Sequence, residues 1–226
     1  FKNFRTKLLP IYEAHINDTD EYNNTYLMNA CYFNYSDLIK IFLRIPGVDV
    51  NFTNSNQSSA MSLACEQHSL KAIKILLKSP LYIYNYRNGA NDSPFLRAVA
   101  CGYEDEVILF INAKKNNPSD IRLKDLLNDE EIFIAFVISI SKQKINLLKI
   151  ILDNFDETLI NLNEMKDTLG MLIASLESKE IINYLRNYFQ ERIDTVHDEA
   201  CDNYQKLINA IDKKLHEEEE EEYISN

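Results

Sequence analysis

Residues 25–51, TYLMNACYFNYSDLIKIFLRIPGVDVN, decide the fold of this chain, because the same pattern returns 34 positions later. Identical or similar residues separated by that offset are Thr25/Ser59, Leu27/Met61, Ala30/Ala64, Cys31/Cys65, Ile39/Ile73, Leu43/Leu77, Pro46/Pro80 and Asn51/Asn85. A further copy at the same offset contains Ser93, Phe95 and Ala98. A fixed period of about 20–50 residues is typical of solenoids, in which each supersecondary unit stacks on the next.

Each period predicts two helices separated by a short link. In the first copy an inner helix is expected over 26–33 and an outer helix over 36–44, which Pro46 and Gly47 end. The second copy predicts helices over 60–67 and 70–78, and the third an outer helix over 104–113. We expect Leu43 and Leu77 to be buried between neighbouring repeats.

The repeat resembles the ankyrin repeat, a β-turn followed by two antiparallel helices, the first of which opens on T-P-L-H-x-A. The openings here are 25–30, 59–64 and 93–98, and Pro94 retains the proline of the motif. The histidine is replaced by Met28, Ser62 and Leu96, so the hydrogen bonding of the turn should differ. Frequent Asn, Ile, Lys and Tyr give a composition like that of many protists.

The resemblance implies an all-α fold, an ankyrin-type α-solenoid of about three clear and two or three degenerate repeats, followed by a C-terminal helix. Run backwards, the offset places Asn51 on Asn17, so 1–24 would be a partial or capping repeat and the chain would begin inside it. The clear repeats occupy 25–114. Degenerate repeats, or a plain helical hairpin at their end, occupy 115–190, with Ser139 where the family has Ala and Thr168 opening the last unit.

The C-terminal part predicts an amphipathic helix over 191–216 and a frayed acidic tail over 217–226. The helix either packs along the end of the solenoid or pairs with another chain through 193–215. Like charges four residues apart disfavour helix in the tail. The apolar stripe of the helix is formed by Ile193, Val196, Ala200, Tyr204, Leu207, Ile211 and Leu215, an 11-residue repeat close to the period of a straight helix.

Charge and hydropathy restrict the classes of partner. The 226 residues carry a net charge of −11, and the run 217–222 supplies six of the negative charges. A negative surface repels phosphate backbones, so nucleic acid is disfavoured and a basic protein partner is favoured. The longest apolar run covers only 132–140, too short for the roughly 18 residues that span a bilayer, so membrane insertion is not expected.

The four cysteines predict a reduced, cytoplasmic protein. Cys31 and Cys65 hold the same position in neighbouring repeats. Packed helix axes lie about 8–10 Å apart, whereas a disulfide needs Cα atoms within about 7 Å. Both should therefore be buried thiols, and Cys201 should be the thiol that reacts first.

The sequence predicts neither an enzyme nor a metal or cofactor site. It contains no glycine-rich phosphate loop and no nucleophile or zinc-protease motif. His197 and Cys201 stand four residues apart, but two ligands fall short of the four of a structural zinc site.

In the ankyrin family, partners bind to the concave face of the inner helices and to the hairpin tips. That resemblance implies a scaffold or adaptor with no catalysis of its own. The alternatives are an accessory or regulatory region of a larger polypeptide, such as a channel or enzyme, and a structural component of a large assembly. The predicted contact residues are Tyr26, Asn29, Tyr32, Phe33, Asn56, Glu66, Gln67, Arg87 and Arg97.

Overall fold

The computed structural model describes residues 9–83, 87, 93–117, 127–160, 166–195 and 200–225. Over these ranges the chain is all-α, as predicted, and its only extended pairings are isolated bridges. The chain divides into two compact units, Phe1–Asn128 and Asp129–Asn226.

The first unit is built from short helices arranged in two layers. The inner helices α2, α4 and α6 pack on one another, and so do the outer helices α3, α5 and α7. Its helices are α1 (Leu9–His15), α2 (Tyr26–Tyr32), α3 (Ser36–Phe42), α4 (Ala60–Glu66), α5 (Leu70–Leu77), α6 (Pro94–Cys101) and α7 (Glu104–Asn116).

Each inner helix begins at a hydroxyl N-cap, as the T-P-L-H-x-A-like openings predict. The side-chain oxygens of Thr25, Ser59 and Ser93 accept hydrogen bonds from backbone N–H groups three residues later. These bonds satisfy N–H groups that have no partner within the helix. Pro94 occupies the first turn of α6, where no such N–H is needed.

The link between inner and outer helix turns on one residue with left-handed backbone. Asn34 (φ 57°), His68 (φ 52°) and Gly102 (φ 84°) hold this position in successive repeats. The next backbone N–H then donates back to the inner helix. These bonds are Tyr35 to Ala30 (2.8 Å), Ser69 to Ala64 (2.8 Å) and Tyr103 to Ala98 (3.1 Å).

Asparagine side chains connect neighbouring repeats. Asn17 donates to the Gly47 carbonyl and accepts from the Asp49 N–H, both at 2.8 Å. One period later, Asn51 does the same with Leu81 (2.9 Å) and Ile83 (2.8 Å). Asn17 and Asn51 thus have the same structural role in successive repeats. Asn85, one period further on, lies outside the described residues.

The hairpin tips are also joined, although the histidine of the motif is missing. Asn54 Nδ2 donates to Asn24 Oδ1 at 2.8 Å. Within its own tip, Asn54 Oδ1 accepts from the backbone N–H groups of Asn56 and Ser58. In place of a histidine, an asparagine pair therefore connects these two tips.

The expected burial of Leu43 and Leu77 is wrong by one residue. Both are half-buried, whereas Phe42 is 4% exposed and Leu76 is 0% exposed. Successive helical residues point about 100° apart, since a turn has 3.6 residues. The buried stripe of α5 therefore runs through Ala72, Ile73 and Leu76, and Leu77 falls beside it.

The predicted partial repeat at the N-terminus is only partly correct. Asn17 has the role of Asn51, but α1 continues to His15, well past the end of the corresponding outer helix. Pro46 and the left-handed Gly47 follow the end of α3, and their counterparts 34 residues earlier are Tyr12 and Glu13. Because neither stops a helix, α1 extends further.

The second unit contains longer helices: α8 (Asp129–Ser141), α9 (Ile145–Ile160), α10 (Lys166–Ala174), α11 (Lys179–Thr195) and α12 (Ala200–Ser225). The α8–α9 link has the geometry of the first unit. Gln143 is left-handed (φ 54°), and the Lys144 N–H donates to the Ser139 carbonyl at 2.8 Å. Ser139 is fully buried in the place of the family's Ala, and its hydroxyl donates to the Ala135 carbonyl.

The α10–α11 link differs. Residues 175–178 are all described, and none of them has left-handed backbone. The Ser175 N–H instead donates to carbonyls of α10 itself. For α10–α11 the structure therefore favours the plain helical hairpin, whereas α8–α9 keeps the link geometry of the repeats.

The predicted helix over 191–216 has the wrong bounds. Residues 191–195 complete α11, and α12 begins at Ala200. The two helices are antiparallel, because Arg186 pairs with Asp212 whereas the ring of Phe189 lies 5.7 Å from that of Tyr204. The apolar spacing of three and four residues continues from α11 into α12. Spacing alone therefore could not indicate that the chain reverses direction between the two helices.

The C-terminal stripe is covered by its own chain. Tyr204, Leu207 and Ile211 are buried, and α12 packs on α10 and α11. The middle of the stripe is therefore packed within this chain. Ile193 and Leu215 are half-buried, and helix pairing through 193–215 stays a prediction. The helix also continues through 217–222, against the expected frayed tail. Glutamate is a good helix former, and each like-charge pair costs only about 0.2–0.5 kcal/mol.

Candidate functional site

The inner helices leave one face uncovered. Most of their residues are buried between layers and neighbours, but the same three positions of each repeat remain exposed or half-buried, apart from Leu63 at 7%. We call these positions the inner-face strip. It comprises Asn29, Leu63 and Arg97, then Tyr32, Glu66 and Ala100, then Phe33, Gln67 and Cys101.

The first repeat gives the strip an aromatic end. Tyr32 is 37% exposed and Phe33 is 57% exposed. Their rings meet edge-on at 5.0 Å, and Phe33 stacks on Tyr35 at 5.7 Å. A shallow groove of about 450 Å³, lined by residues 34–38, borders this cluster. Exposed aromatic side chains with little freedom to move are the usual anchors of protein interfaces.

The second and third repeats give the strip a polar centre. Arg97 Nη2 lies 3.2 Å from Glu66 Oε1, and both side chains are about one-third exposed. This pair shows that strip residues 31 apart in sequence are spatial neighbours. Arg97 Nε is buried and has no hydrogen-bond partner among the described residues. Among the described residues, the ion pair with Glu66 is therefore the contact that positions the guanidinium.

An acidic tip adjoins the aromatic end. Asn29 donates to Asp20 Oδ2 at 2.8 Å, and this bond lowers the pKa of Asp20 below its ordinary value. Asp18, Asp20 and Glu21 are all exposed in the same tip. The tip thus presents negative charge beside exposed aromatic rings.

A buried carboxyl lies behind the polar centre. Glu106 is fully buried, and its Oε1 lies 3.2 Å from His68 Nδ1. Its Oε2 has no hydrogen-bond partner among the described residues. Burial raises its pKa to about 8. The ring of Tyr103 packs on His68 at 4.6 Å, so this pair is part of the joint between the second and third repeats.

Most of the predicted contact residues lie together. Asn29, Tyr32, Phe33, Glu66, Gln67 and Arg97 belong to the strip, and Asn56 is exposed in the second tip. Tyr26 is exposed, but its ring packs 6.3 Å from that of Phe42. Its counterparts Ala60 and Pro94 are buried, so the position of Tyr26 belongs to the packing between helices. Arg87 is half-buried in a segment that is mostly outside the described residues.

Three exposed residues were missed by sequence reasoning: Asp20, Tyr22 (66%) and Tyr35 (55%). The exposure of Tyr35 could not have been deduced from its counterpart, because Ser69 is buried. The bond from Asp20 to Asn29 depends on the tip folding back onto α2, and no pattern in the sequence indicates it.

The residues that the structure describes contain neither a group of metal ligands nor a membrane-spanning helix. No group of three or more His, Cys, Asp and Glu side chains that could hold a metal occurs among the described residues. Within those ranges, no helix combines the length and apolar character needed to cross a bilayer. All four cysteines are described, and none forms a disulfide.

Comparison with known families agrees with the architecture of the first unit. The family model for ankyrin repeats (3 copies) matches residues 5–92 and 27–125, which together cover more than half of the chain. A comparison with curated proteins found no match. Ankyrin repeats generally act as protein–protein interaction modules and are typically non-catalytic. The repeated openings, the left-handed links and this match agree, and the chain belongs to the ankyrin-repeat family.

Proposed function

We propose that this chain is a scaffold or adaptor without catalytic activity that binds a partner protein through the inner-face strip and the hairpin tips. The supporting observation is the continuity of the strip, which joins the Tyr32–Phe33 aromatic pair to the Glu66–Arg97 ion pair. An aromatic anchor beside hydrogen-bonding groups is the usual composition of a specific interface. A cytoplasmic location is part of the proposal and is supported by the reduced cysteines.

The partner segment is proposed to be basic. The first tip supplies three exposed carboxylates next to Tyr22 and Tyr26. Carboxylates form ion pairs with lysine and arginine, and tyrosine rings attract the same cations through their faces. Charge complementarity of this kind contributes mainly to the rate of association and to specificity. Binding should therefore weaken as salt rises.

The test is capture of partners from native extract with the full chain, followed by titration of the captured protein. Tyr32→Ala should weaken binding by more than about 1 kcal/mol, or roughly five- to tenfold, with little change in stability, because the side chain is partly exposed. Glu21→Lys should also weaken binding, and its effect on affinity should be larger at low salt than at high salt.

Ile108→Ala is the matched control, since Ile108 is 38% exposed on the outer helix α7 and Tyr32 is 37% exposed. It should leave both affinity and melting temperature unchanged. If Ile108→Ala abolishes capture while Tyr32→Ala does not, the partner binds the outer face and the proposed site is wrong.

A further inference from the structure

The Lys and Arg residues of the first two full repeats lie in one layer, the outer one. Between Asn17 and Ile83 the chain has five Lys and Arg residues, and all lie on the outer helices α3 and α5 or just after their ends. The carboxylates of the tips and inner helices lie in the other layer. The five cations, all exposed, are Lys40, Arg44, Lys71, Lys74 and Lys78.

Four of these cations form a regular array, which we call the outer-face square: Lys40 and Arg44 with α3, and Lys74 and Lys78 with α5. The two members of each pair are four residues apart. Because α3 ends at Phe42 and α5 at Leu77, Lys40 and Lys74 lie in the last turn of each helix, and Arg44 and Lys78 lie just after it. Lys74 and Lys78 are the 34-residue counterparts of Lys40 and Arg44. Because α3 packs on α5, the pairs lie side by side, about 8–10 Å apart.

Few acidic groups neutralise this array. Asp37 Oδ1 lies 3.4 Å from Lys40 Nζ, with the Asp37 side chain 91% exposed. Lys71 is the counterpart of Asp37 in α3 and of Asp105 in α7, so acidic residues flank its position. α5 itself has no acidic residue. Cations near helix C-termini also offset the helix dipole, but that effect does not require them to line up across repeats.

We infer that the outer-face square is a second docking surface and that it binds an acidic protein segment. Glutamates spaced four apart on a helix would match the spacing of Lys74 and Lys78 and of Lys40 and Arg44. An anionic bilayer or a nucleic acid fits less well, because each presents an extended negative surface and the chain carries −11 in total. The inference is independent of the proposed inner-face site, and together they give the chain two oppositely charged faces.

The test uses the full chain and a fluorescein-labelled helical peptide with glutamates at every fourth position, with its glutamine counterpart as reference. Fluorescence anisotropy at about 30 mM salt should show binding of the glutamate peptide alone, with an affinity that falls steeply with salt. K74E/K78E should weaken binding at least tenfold. K74R/K78R, which keeps the charges, should stay within twofold of the wild type.

Lys144→Glu combined with Lys206→Glu is the control for net charge, because both residues are exposed in the second unit. It should change peptide affinity less than twofold. Tyr32→Ala should also bind the peptide normally. The helix content of every variant is measured by far-UV circular dichroism at the temperature of the binding experiment. A variant that has unfolded is then not mistaken for one that has lost binding.

Three results would overturn the inference. The first is no difference between the glutamate and glutamine peptides with the wild-type chain. The second is an equal loss of binding in the K144E/K206E control. The third is binding to phosphatidylserine vesicles or to an oligonucleotide without binding to the peptide, which would assign the square to a different class of partner.

Discussion

The two units of this chain reach an all-α structure by different means. In the first unit the complete repeats have helices of seven or eight residues except α7, and side chains such as Asn17, Asn34 and Asn51 bond to the backbone of the next repeat. In the second unit, α8, α11 and α12 have 13 to 26 residues, and α9 has 16 residues with a kink at Phe155. There the contacts between helices include apolar pairs such as Phe189 with Tyr204.

The difference follows from helix length. Helices shorter than about 12–15 residues are marginal on their own, so a helix of seven residues depends on its neighbours. Specific bonds at a fixed offset hold each repeat in register with the next. Longer helices carry a longer apolar stripe and need fewer such bonds. The first unit should therefore be sensitive to changes at joints between repeats, and the second to changes in its core.

The largest effect is expected from Leu76→Ala. Leu76 is fully buried in α5, in the middle of the stack, and truncating such a side chain costs about 2–5 kcal/mol. Because each repeat is stabilised by its neighbours, hydrogen exchange should accelerate in α3 and α7 as well as in α5. Leu77→Ala, at the half-buried neighbour, should cost clearly less. Equal costs in a denaturant titration would contradict the register of α5.

Glu106→Gln should stabilise the first unit at alkaline pH. The ordinary pKa is 4.5 and burial raises it to about 8, so the folded state holds the proton more tightly than the unfolded chain does. The resulting stability is full below pH 4.5 and is lost as pH rises through about 8. The variant should exceed the wild type by a few kcal/mol at pH 8, because one pKa unit corresponds to about 1.4 kcal/mol.

The measurement is the difference in free energy of unfolding between the two proteins from pH 4 to pH 9. Glu104→Gln, two residues earlier and exposed, is the control and should follow the wild type. A difference between E106Q and wild type that does not change with pH would mean that the pKa of Glu106 is the same in the folded and unfolded states.

Asn51→Ala tests the bonds between repeats. It removes both the donor to the Leu81 carbonyl and the acceptor of the Ile83 N–H, and should cost about 1–3 kcal/mol. Asn154→Ala in the second unit is the matched control, since Asn154 donates to the Ile150 carbonyl one turn earlier in the same helix. Its cost should be within about 0.5 kcal/mol. Equal costs would remove the distinction between the units.

The smallest expected effect is a difference in the rates at which the four cysteines react with a thiol reagent. Cys101 should react first with a thiol reagent because it is exposed, and Cys201, only partly exposed, should follow. This reverses the sequence-based expectation for Cys201. Burial raises the pKa of Cys31 and of Cys65, so both should label only on unfolding. Rapid native labelling of Cys65 would show that the inner layer opens.

Prediction from sequence was most successful where a position repeats. The helix pairs α2–α3 and α4–α5 agree with their predicted bounds to within about two residues, because hydroxyl caps and link residues recur at the same offset. Prediction failed where the burial of one side chain depends on how the helices pack, which the sequence pattern does not give. Leu43 and Leu77 are apolar and correctly spaced, yet the core lies one residue earlier.

Six of the nine residues of the inner-face strip were among the predicted contact residues, because they are helix positions that stacking does not use. Tyr26 was included because it is an inner-helix position that stacking was not expected to use, yet its ring packs near Phe42. Tyr35 was omitted because it lies in a link, outside the inner-helix positions and hairpin tips from which the contact residues were chosen. Residue type and spacing thus identified the face, while the contacts of each ring could be known only once the helices were packed.

The sequence by itself determined the repeat, its family, the all-α fold and the absence of a recognisable catalytic motif, because these follow from local patterns. Tertiary structure decided the joints: Asn51 bridging two repeats, Glu106 buried against His68, and α12 turning back along α11. Such contacts unite residues about 26–38 positions apart. Their formation depends on how helices pack and which polar groups lose water, and that is fixed only when the chain is folded.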